Sequence, residues 1–309
     1  MCTLVFAWQV FETTPLAVAA NRDEALDRPA EPPGVYQTDP RVIAPRDASA
    51  GGTWIGYNAH GLFVAITNRW VDLAGERSRG VLVADALAAS SATAAVDVVR
   101  EAVAADTYAG FTLVVADDDR AALLEYDGEL RVTDLTPGVH VVVNVGADGR
   151  FFEPDSRPEV GRQQAKNAEA VRAALRVGDA DEPRLNSGAD LDEPRLNTDA
   201  DFDEPRLNTD VNLDDAGVSP LPTRGGDDLG PRDERAIDWL ARAARVLGDH
   251  DVGVCVHGDG FGTRSASLIA LGRAENADNA PADNPPADRY WFADGPPCRT
   301  RFERVESRL

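Results

Sequence analysis

The amino-acid sequence predicts a single α+β domain over residues 1–309, in which helices cover two β-sheets. Three observations predict this class. Strand-like segments come in blocks, and these blocks alternate with pairs of helical segments, as in folds that pack helices onto sheets. The chain is long enough to bury a large core. Its hydrophobic content of 43% is ordinary for a globular protein.

Apolar runs rich in branched and aromatic residues predict the strands. The first two runs are separated by a short polar stretch and predict a hairpin. The predicted strands are CTLVFAW (2–8), PLAVAANR (15–22), TWIGYN (53–58), LFVAITNRW (62–70), FTLVVAD (111–117), AALLEYD (121–127), GVHVVVNVG (138–146), VGVCVHG (252–258), GTRSASLIAL (262–271) and DRYWFAD (288–294).

Apolar residues at three- and four-residue spacing predict four helices, over 81–90, 93–105, 158–177 and 232–248. The segment between the last two differs from the rest of the chain. It repeats DEPRLN at 181–186, 192–197 and 203–208, among Asp, Asn and Gly residues. Each repeat has too few apolar residues to bury a seam, and each contains a proline. The sequence therefore predicts a disordered, dispensable insertion over 178–231 rather than a coiled coil or a docking array.

The chain is strongly acidic, with 53 acidic and 31 basic residues and a net charge of −22. The acids are spread along the whole chain, which favours a solvated shell suited to concentrated salt over a patch that recruits a basic partner. Such a charge argues against nucleic acid as a partner. The chain has no basic n-region and no apolar run of membrane-spanning length, and its three cysteines lack a disulfide spacing. We therefore expect a cytoplasmic protein with no membrane span.

The first candidate site residue is Cys2. A cysteine here is most often an ordinary small residue in a strand. If Met1 is removed, however, Cys2 carries a thiol and a free α-amine, and such an amine has a pKa of about 8. The amine could accept the thiol proton and so activate the sulfur to attack a carbonyl carbon.

Polar residues at strand ends supply further candidates. Asp23 could hold the α-ammonium, and Arg22 could stabilise a thiolate. Asn68 and Asn144 could donate amide hydrogens to an oxyanion. Arg264 follows a glycine-rich turn that lacks the GK[ST] of a phosphate loop. Taken singly, Asp23, Asn68 and Asn144 are better explained as residues of turns or helix caps.

Together the sequence blocks are more specific. MCT, NRDE, GGTWIGYNAHG, TNRW, SRG (78–80), VVNVG and FGTRS stand in this order along the chain. They resemble the blocks of the NRDE family, or transport and Golgi organisation protein 2 family, over nearly the whole length apart from the insertion. The resemblance implies an N-terminal nucleophile hydrolase fold, which is a four-layer αββα sandwich.

The chain also resembles, more distantly, the choloylglycine hydrolases and penicillin V acylases, whose catalytic cysteine is freed by removal of Met. Their Asn-x-Asp element is similar to Asn21 and Asp23, and their GLN asparagine is similar to Asn68. Their second oxyanion asparagine is similar to Asn144, and their late arginine to Arg264. Their other arginine precedes the Asn-x-Asp element, where this chain has Ala20. Arg22 falls inside the element instead, and strand alternation points it to the opposite face from Asn21 and Asp23.

The remaining histidines, cysteines and tryptophans of interest are mostly explained by simpler structural roles. His250, Cys255, His257 and Asp259 lie close together in the sequence, but a metal site would need further ligands at suitable distance. A core cysteine beside a partly exposed histidine is the preferred interpretation, so no metal site is predicted. Cys298 is interpreted as an incidental loop thiol. Trp70, beside Asn68, is a candidate wall of a substrate pocket.

These observations predict an N-terminal cysteine amidohydrolase. It would cleave a non-peptide amide through an acyl-thioester on Cys2, without a required cofactor. The alternative is a non-catalytic protein that binds or carries haem, a lipid or acyl-coenzyme A, because the resembled family is associated with haem mobilisation and lipid metabolism. For haem, the candidate axial ligands are His60, His140, His257 and Cys2. Either way the expected partner is a small molecule.

Overall fold

A computed structural model of the chain describes residues 2–177, 234–272 and 288–306. Its strands are β1 (Thr3–Trp8), β2 (Leu16–Ala25), β3 (Ala30–Thr38), β4 (Arg41–Asp47), β5 (Ile55–Asn58), β6 (Phe63–Asn68), β7 (Phe111–Ala116), β8 (Ala121–Tyr126), β9 (Leu130–Asp134), β10 (Gly138–Val143), β11 (Gly146–Ala147), β12 (Arg150–Phe151), β13 (Phe261–Leu271), β14 (Arg289–Ala293) and β15 (Glu303–Arg304). Its helices are α1 (Arg79–Leu87), α2 (Ala92–Ala105), α3 (Pro158–Leu175) and α4 (Glu234–Gly248).

The strands form two antiparallel sheets. One has the order β12-β11-β10-β1-β2-β13-β14-β15, and the other runs from β3 to β9 in sequence order. Three apolar clusters separate the layers. One lies between the first sheet and α3 and α4, one between the two sheets, and one between the second sheet and α1 and α2. The layer order is therefore helix, sheet, sheet, helix, which confirms the predicted α+β four-layer sandwich.

Side-chain alternation along β2 explains how a central strand serves two layers. Ala17 and Ala19 pack toward the helices, whereas Leu16 and Val18 pack toward the second sheet. Both faces are buried, so the strand has a continuous apolar sequence until Asn21. The polar end of β2 thus lies where the apolar core stops.

The predicted strands and helices mostly match those observed, with one clear error. Residues 252–258 were expected to form a strand, but they form a loop with a single bridge between His257 and Gly262. Gly253 has φ +74°, and its carbonyl accepts a hydrogen bond from the Asn167 side chain. The carbonyl of Val254 accepts one from the Asn21 side chain. Side chains therefore bond the first part of this segment, and contact with the main chain of β13 is limited to the bond from the Thr263 nitrogen to the Val256 oxygen and the bridge at His257.

Strands β3 and β4 were missed because they contain prolines, which weaken a strand signal. β3 is an edge strand, where proline is tolerated. The proposed insertion at 178–231 lies outside the described residues, and the single-domain assignment stays a prediction. Among the described residues, no helix is long and apolar enough to cross a membrane.

Candidate functional site

Strand register places Cys2 among the predicted site residues. Thr3 pairs with Val143 of β10 on one side and with Asn21 of β2 on the other. Continuing each antiparallel pairing by one residue brings Cys2 beside Asn144 and Arg22. The cysteine therefore lies at the common end of the three central strands of the first sheet.

The main-chain nitrogen of Cys2 is held by Asn144. It donates to Asn144 Oδ1 over 2.9 Å, and Gln164 Nε2 donates to the same oxygen over 2.9 Å. Asn144 Nδ2 donates to the main-chain oxygen of Asn68 over 2.7 Å. The Asn144 side chain therefore connects Cys2 to the end of β6 in the other sheet, and within the described part of the chain Asn68 O is the one acceptor for its amide nitrogen.

The Cys2 thiol lies beside Asp23. Its Sγ is 3.7 Å from the main-chain oxygen of Asp23. The Asp23 carboxylate accepts a hydrogen bond of 2.7 Å from Thr263 Oγ1. Because Thr263 Oγ1 also accepts from the main-chain nitrogen of Val256 over 2.8 Å, its only proton must point to Asp23.

Arg22 is on the same face as Cys2. As expected, it faces away from Asn21 and Asp23, but the register shows that this is the face of Cys2 and of the space between the sheets. It is 7% exposed. Its guanidinium lies 4.1 Å from the ring centroid of Trp54 and 3.4 Å from the Glu24 carboxylate.

Burial dominates the electrostatics of this centre. Burial raises the pKa of the Cys2 thiol, the negative charge of Asp23 raises it further, and the positive charge of Arg22 opposes both. Burial also raises the pKa of the Asp23 carboxyl, against the hydrogen bond from Thr263. Burial therefore favours the neutral, protonated form of the Cys2 thiol.

Cys2 lies where two cavities meet. The inner cavity, of about 440 Å³, extends between the sheets, and the outer cavity, of about 1040 Å³, is lined by the segment after β6 and by the segment that leads from β12 into the first turn of α3. The residues that line both are Cys2, Asp23, Glu24, Asn68 and Arg79. Asn68 is exposed at the end of β6, so its side-chain amide is accessible to a bound molecule.

Trp70 lines the outer cavity, and its role as a substrate wall stays a prediction. The Arg157 guanidinium lies 4.8 Å from its ring centroid. Phe152, Val160 and Phe261 line the same cavity, and Val160 and Phe261 are 45% and 46% exposed. The outer cavity therefore has an apolar wall that solvent reaches.

Two of the predicted residues point elsewhere. Asn21 donates from Nδ2 to the main-chain oxygens of Leu247 and Val254, both over 2.9 Å, and so supports the loop after α4. Arg264 lies at an irregularity between Thr263 and Ser265 in the pairing of β13 with β2. Its guanidinium is 2.5 Å from the Asp294 carboxylate, and it is not among the described residues that line either cavity. Its catalytic role stays a prediction.

The sequence reasoning did not single out Arg79, Thr263 or Gln164. Arg79 begins α1 and lines both cavities, and its pKa is lowered by burial and raised by the nearby Cys2. The SRG block at 78–80 was a signal for Arg79. The FGTRS block at 261–265 likewise includes Thr263. Nothing local marks Gln164, whose partner Asn144 is 20 residues away.

The candidate haem ligands are dispersed. His60 is exposed in the turn between β5 and β6. His140 is fully buried, with its ring nitrogens 2.7 Å from Asp148 Oδ2 and 2.8 Å from the main-chain oxygen of Thr136. Of the four candidates, only Cys2 lines either cavity.

Comparison with known proteins decides the family. The sequence model of the family described as Transport and Golgi organisation 2 matches residues 1–279. The chain belongs to this family. The match confirms the resemblance carried by the NRDE and neighbouring blocks. No curated protein matches this family member significantly.

The solved structures that resemble this family member share little of its sequence. Penicillin V acylase from Agrobacterium tumefaciens is 12% identical, with a TM-score of 0.42 and coverage of 100% of this chain and 99% of that chain. A mutant conjugated bile acid hydrolase from Clostridium perfringens is 14% identical, with a TM-score of 0.41 and coverage of 100% and 97%. A Caenorhabditis elegans ortholog of N-acylethanolamine-hydrolyzing acid amidase is 13% identical, with a TM-score of 0.37 and coverage of 55% and 77%.

Proposed function

We propose that this chain is an N-terminal cysteine amidohydrolase, which cleaves a non-peptide amide C–N bond through an acyl-thioester on Cys2. One observation carries the proposal. Asn144 holds the nitrogen of Cys2 over 2.9 Å, while the side chain of Cys2 lines both cavities. A cysteine that lines a ligand space and has an oriented main-chain nitrogen carries the two groups that an N-terminal nucleophile needs.

Removal of Met1 makes the Cys2 nitrogen an α-amine with a pKa near 8, so part of it is neutral at neutral pH. This amine takes the thiol proton as Sγ forms a bond to the carbonyl carbon of the amide. Arg22 faces the sulfur from the neighbouring strand and stabilises its negative charge. Asp23 is placed to balance the α-ammonium that results.

The carbonyl oxygen becomes negatively charged during this attack and needs hydrogen-bond donors. The exposed side-chain amide of Asn68 lines both cavities and supplies one. The amide hydrogen of Asn144 Nδ2 that does not bond Asn68 supplies the second. Asn144 therefore has two roles, because its oxygen orients the amine while its nitrogen faces the oxyanion.

The tetrahedral intermediate collapses when the C–N bond breaks. The leaving nitrogen takes the proton from the α-ammonium and departs as an amine, leaving an acyl-thioester on Sγ. Water then attacks the thioester with the same α-amine as base, which releases the carboxylic acid and restores the thiol. No oxidant, reductant or metal is required for this sequence.

The outer cavity suggests where the acyl group lies. Trp70, Phe152, Val160 and Phe261 offer an apolar wall, and Arg157 stacks on Trp70 at one side. An acyl chain or aromatic acyl group would bury this wall, with the scissile carbonyl next to Cys2. The proposed substrate class is thus a small amide with an apolar acyl part.

The test begins with intact-mass spectrometry of protein carrying no N-terminal tag. We expect Met1 to be absent and a thiol-directed acyl probe to add one acyl group per chain, mapped to Cys2. Cys255 and Cys298 in the same chain serve as internal controls. Cys2→Ala should take up no acyl group and should turn over no member of an amide panel. Retained Met1, or acylation that Cys2→Ala leaves intact, would rule the mechanism out.

The alternative is a carrier of haem, lipid or acyl-coenzyme A. One observation favours it, namely the size of the outer cavity together with the exposed Val160 and Phe261. A carrier would bind its ligand as tightly after Cys2→Ala, unless Cys2 is an axial haem ligand. Haem titration of wild type and Cys2→Ala separates these cases, because only the axial ligand would change the Soret band on substitution.

A further inference from the structure

Two histidines and two cysteines converge beside the end of α4. His250, Cys255 and His257 lie in the loop between α4 and β13, and Cys298 lies in the turn after β14. Each offers one ligand atom, and these four atoms all lie within 4.8 Å of one another. Cys298 is 41 residues away from His257, so tertiary structure alone brings it into this group.

Two of the distances between ligand atoms are close to those around a tetrahedral metal ion, and the whole group, within 4.8 Å, would have to contract slightly to bind one. Cys255 Sγ is 3.6 Å from His257 Nε2, and His257 Nε2 is 3.2 Å from Cys298 Sγ. With Zn–S bonds of about 2.3 Å and Zn–N bonds of about 2.0–2.1 Å, ligand atoms around tetrahedral zinc lie about 3.3–3.8 Å apart. The rings of His250 and His257 have centroids 5.1 Å apart at an angle of 81°, so they do not stack.

Hydrogen bonds from the central sheet and from α3 hold in place the loop that carries three of these residues. Asn21 Nδ2 donates to Val254 O, and Asn167 Nδ2 donates to Gly253 O, each over 2.9 Å. The Val256 nitrogen and oxygen both bond Thr263, each over 2.8 Å. Side chains of the central sheet and of α3 thus shape the loop around Cys255 independently of the cluster.

The fourth residue is brought in by a close approach of two main chains. A Cβ placed on Gly248, the last residue of α4, would lie 3.2 Å from the nitrogen of Cys298 and 3.3 Å from its Cα. Two hydrogen bonds to Pro296 O, from Arg299 and Thr300, close the turn that presents Cys298. Glycine at 248 allows this turn to lie against the helix end.

We propose that His250, Cys255, His257 and Cys298 form a structural zinc site. A tetrahedral set of two sulfur and two nitrogen donors selects zinc over magnesium or calcium, which prefer oxygen ligands. Four protein donors leave no open position for water or substrate, which is typical of structural sites. Cys255 is buried while His250 and His257 are exposed, so the ion would enter from solvent. Asp259, the fourth residue suggested by sequence proximity, is not in this group.

The zinc site would brace the proposed active centre. Val256 lies between two of the ligands, lines the outer cavity and donates to Thr263 Oγ1. Thr263 in turn donates to Asp23. Binding a metal at residues 255 and 257 fixes the main chain from which this hydrogen-bond chain begins, so zinc positions Asp23 without contacting substrate.

The first experiment uses untagged full-length protein, purified under reducing conditions without chelator. Elemental analysis should find one zinc per chain. After zinc removal, Co²⁺ titration should give the intense visible d–d bands of a tetrahedral ion and a thiolate-to-cobalt charge-transfer band, with one equivalent bound. Cys298→Ser should weaken Co²⁺ binding by more than the roughly 10- to 100-fold expected for losing an outer-shell partner. His60→Ala, which changes an exposed histidine outside the cluster, should bind as wild type does.

A second measurement needs no variant, in case Cys298→Ser does not fold. Zinc should protect Cys255 and Cys298 from iodoacetamide in wild type, and removal of zinc by a chelator should expose both. The rate at which iodoacetamide modifies Cys2 should change much less when the chelator is added. The proposal is overturned if reduced wild type binds neither zinc nor cobalt. It is also overturned if Cys298→Ser binds cobalt with wild-type affinity and spectrum, or if zinc-supplied protein contains a Cys255–Cys298 disulfide instead of metal.

Discussion

Two regions of this molecule contain its three cysteines, and they differ in what surrounds the sulfur. Cys2 lies at the end of the central strands, where amides, a carboxylate and Arg22 face two cavities. Cys255 and Cys298 lie against two imidazoles, and neither sulfur belongs to a residue that lines the inner or the outer cavity. Amides and cations favour attack by the first sulfur on a carbonyl group, whereas imidazoles favour a shared metal ion for the other two.

The two regions are nonetheless connected. Thr263 accepts a hydrogen bond from Val256, beside Cys255, and donates one to Asp23, beside Cys2. Asn21 was predicted to support Cys2 but bonds the loop of the other region. The region of Cys255 and Cys298 is therefore placed to support the region of Cys2. Four substitutions test whether the two regions act together or independently.

The largest effect is expected from Asn68→Ala, which acts on the Cys2 region alone. Removing one oxyanion donor typically lowers the rate by about 10²- to 10³-fold. The main-chain oxygen that Asn144 bonds remains, so the position of Cys2 is kept. The acylation rate of Cys2 by an amide-like probe measures the loss. Asn68→Asp, which keeps the size but loses both donors, should be equally slow, and a rate within threefold of wild type for either variant would contradict the assignment.

Thr263→Val should change both regions at once. It removes the donor to Asp23 and leaves the Val256 nitrogen without its acceptor, at a cost of about 1–3 kcal/mol in the free energy of unfolding. The pKa of Asp23 should rise further, because the Thr263 hydrogen bond lowers it. Thr263→Ser keeps the hydroxyl and is the matched control.

Denaturant unfolding measures the stability of the Thr263 variants. The acylation rate of Cys2 reports on the first region, and Co²⁺ affinity reports on the second. Loss at one site with the other unchanged would show that the regions are independent.

Arg22→Gln should change the pH dependence of the Cys2 region. The guanidinium charge favours the thiolate, so its removal should raise the pKa of Cys2 above the wild-type value. Alkylation should therefore be slower at neutral pH and should approach the wild-type rate at high pH. Arg22→Lys keeps the charge but loses the planar contact with Trp54, so the pH dependence of its Cys2 alkylation should stay close to that of wild type. A pH series of iodoacetamide labelling followed by mass spectrometry measures these rates. Superimposable curves for Arg22→Gln and wild type would refute the role of the Arg22 charge.

The smallest effect is expected from Gly248→Ala, which acts on the second region. The new methyl group would lie 3.2–3.3 Å from the main chain at 297–298, so the turn that carries Cys298 must move by a few tenths of an ångström. We expect Co²⁺ affinity to fall by about tenfold or less. The intrinsic reactivity of Cys2 should be nearly unchanged and is the internal control. Unchanged Co²⁺ affinity would mean that the approach of Gly248 and Cys298 does not matter for binding.

Much of this arrangement was predictable from residues close together in sequence. The apolar runs of β1, β2 and β10 predicted buried strands, and Cys2, Asp23, Asn68 and Asn144 were predicted at strand ends that the fold brings together. The failures lie where local patterns mislead. Residues 252–258 alternate like a strand, but side chains of Asn21 and Asn167 bond their backbone.

From the sequence alone, the order of short motifs indicated the family and the candidate nucleophile, and apolar periodicity predicted two sheets covered by helices. Both signals are local properties of the chain, and the four-layer order was implied by the resemblance to the family. Only the tertiary structure decided that Arg22 shares a face with Cys2, that Arg264 pairs with Asp294, and that Cys298 joins the histidine cluster. These outcomes depend on strand register and on which loops meet. A shift of one residue in register moves a side chain to the opposite face, and no local pattern specifies a contact between segments 41 residues apart.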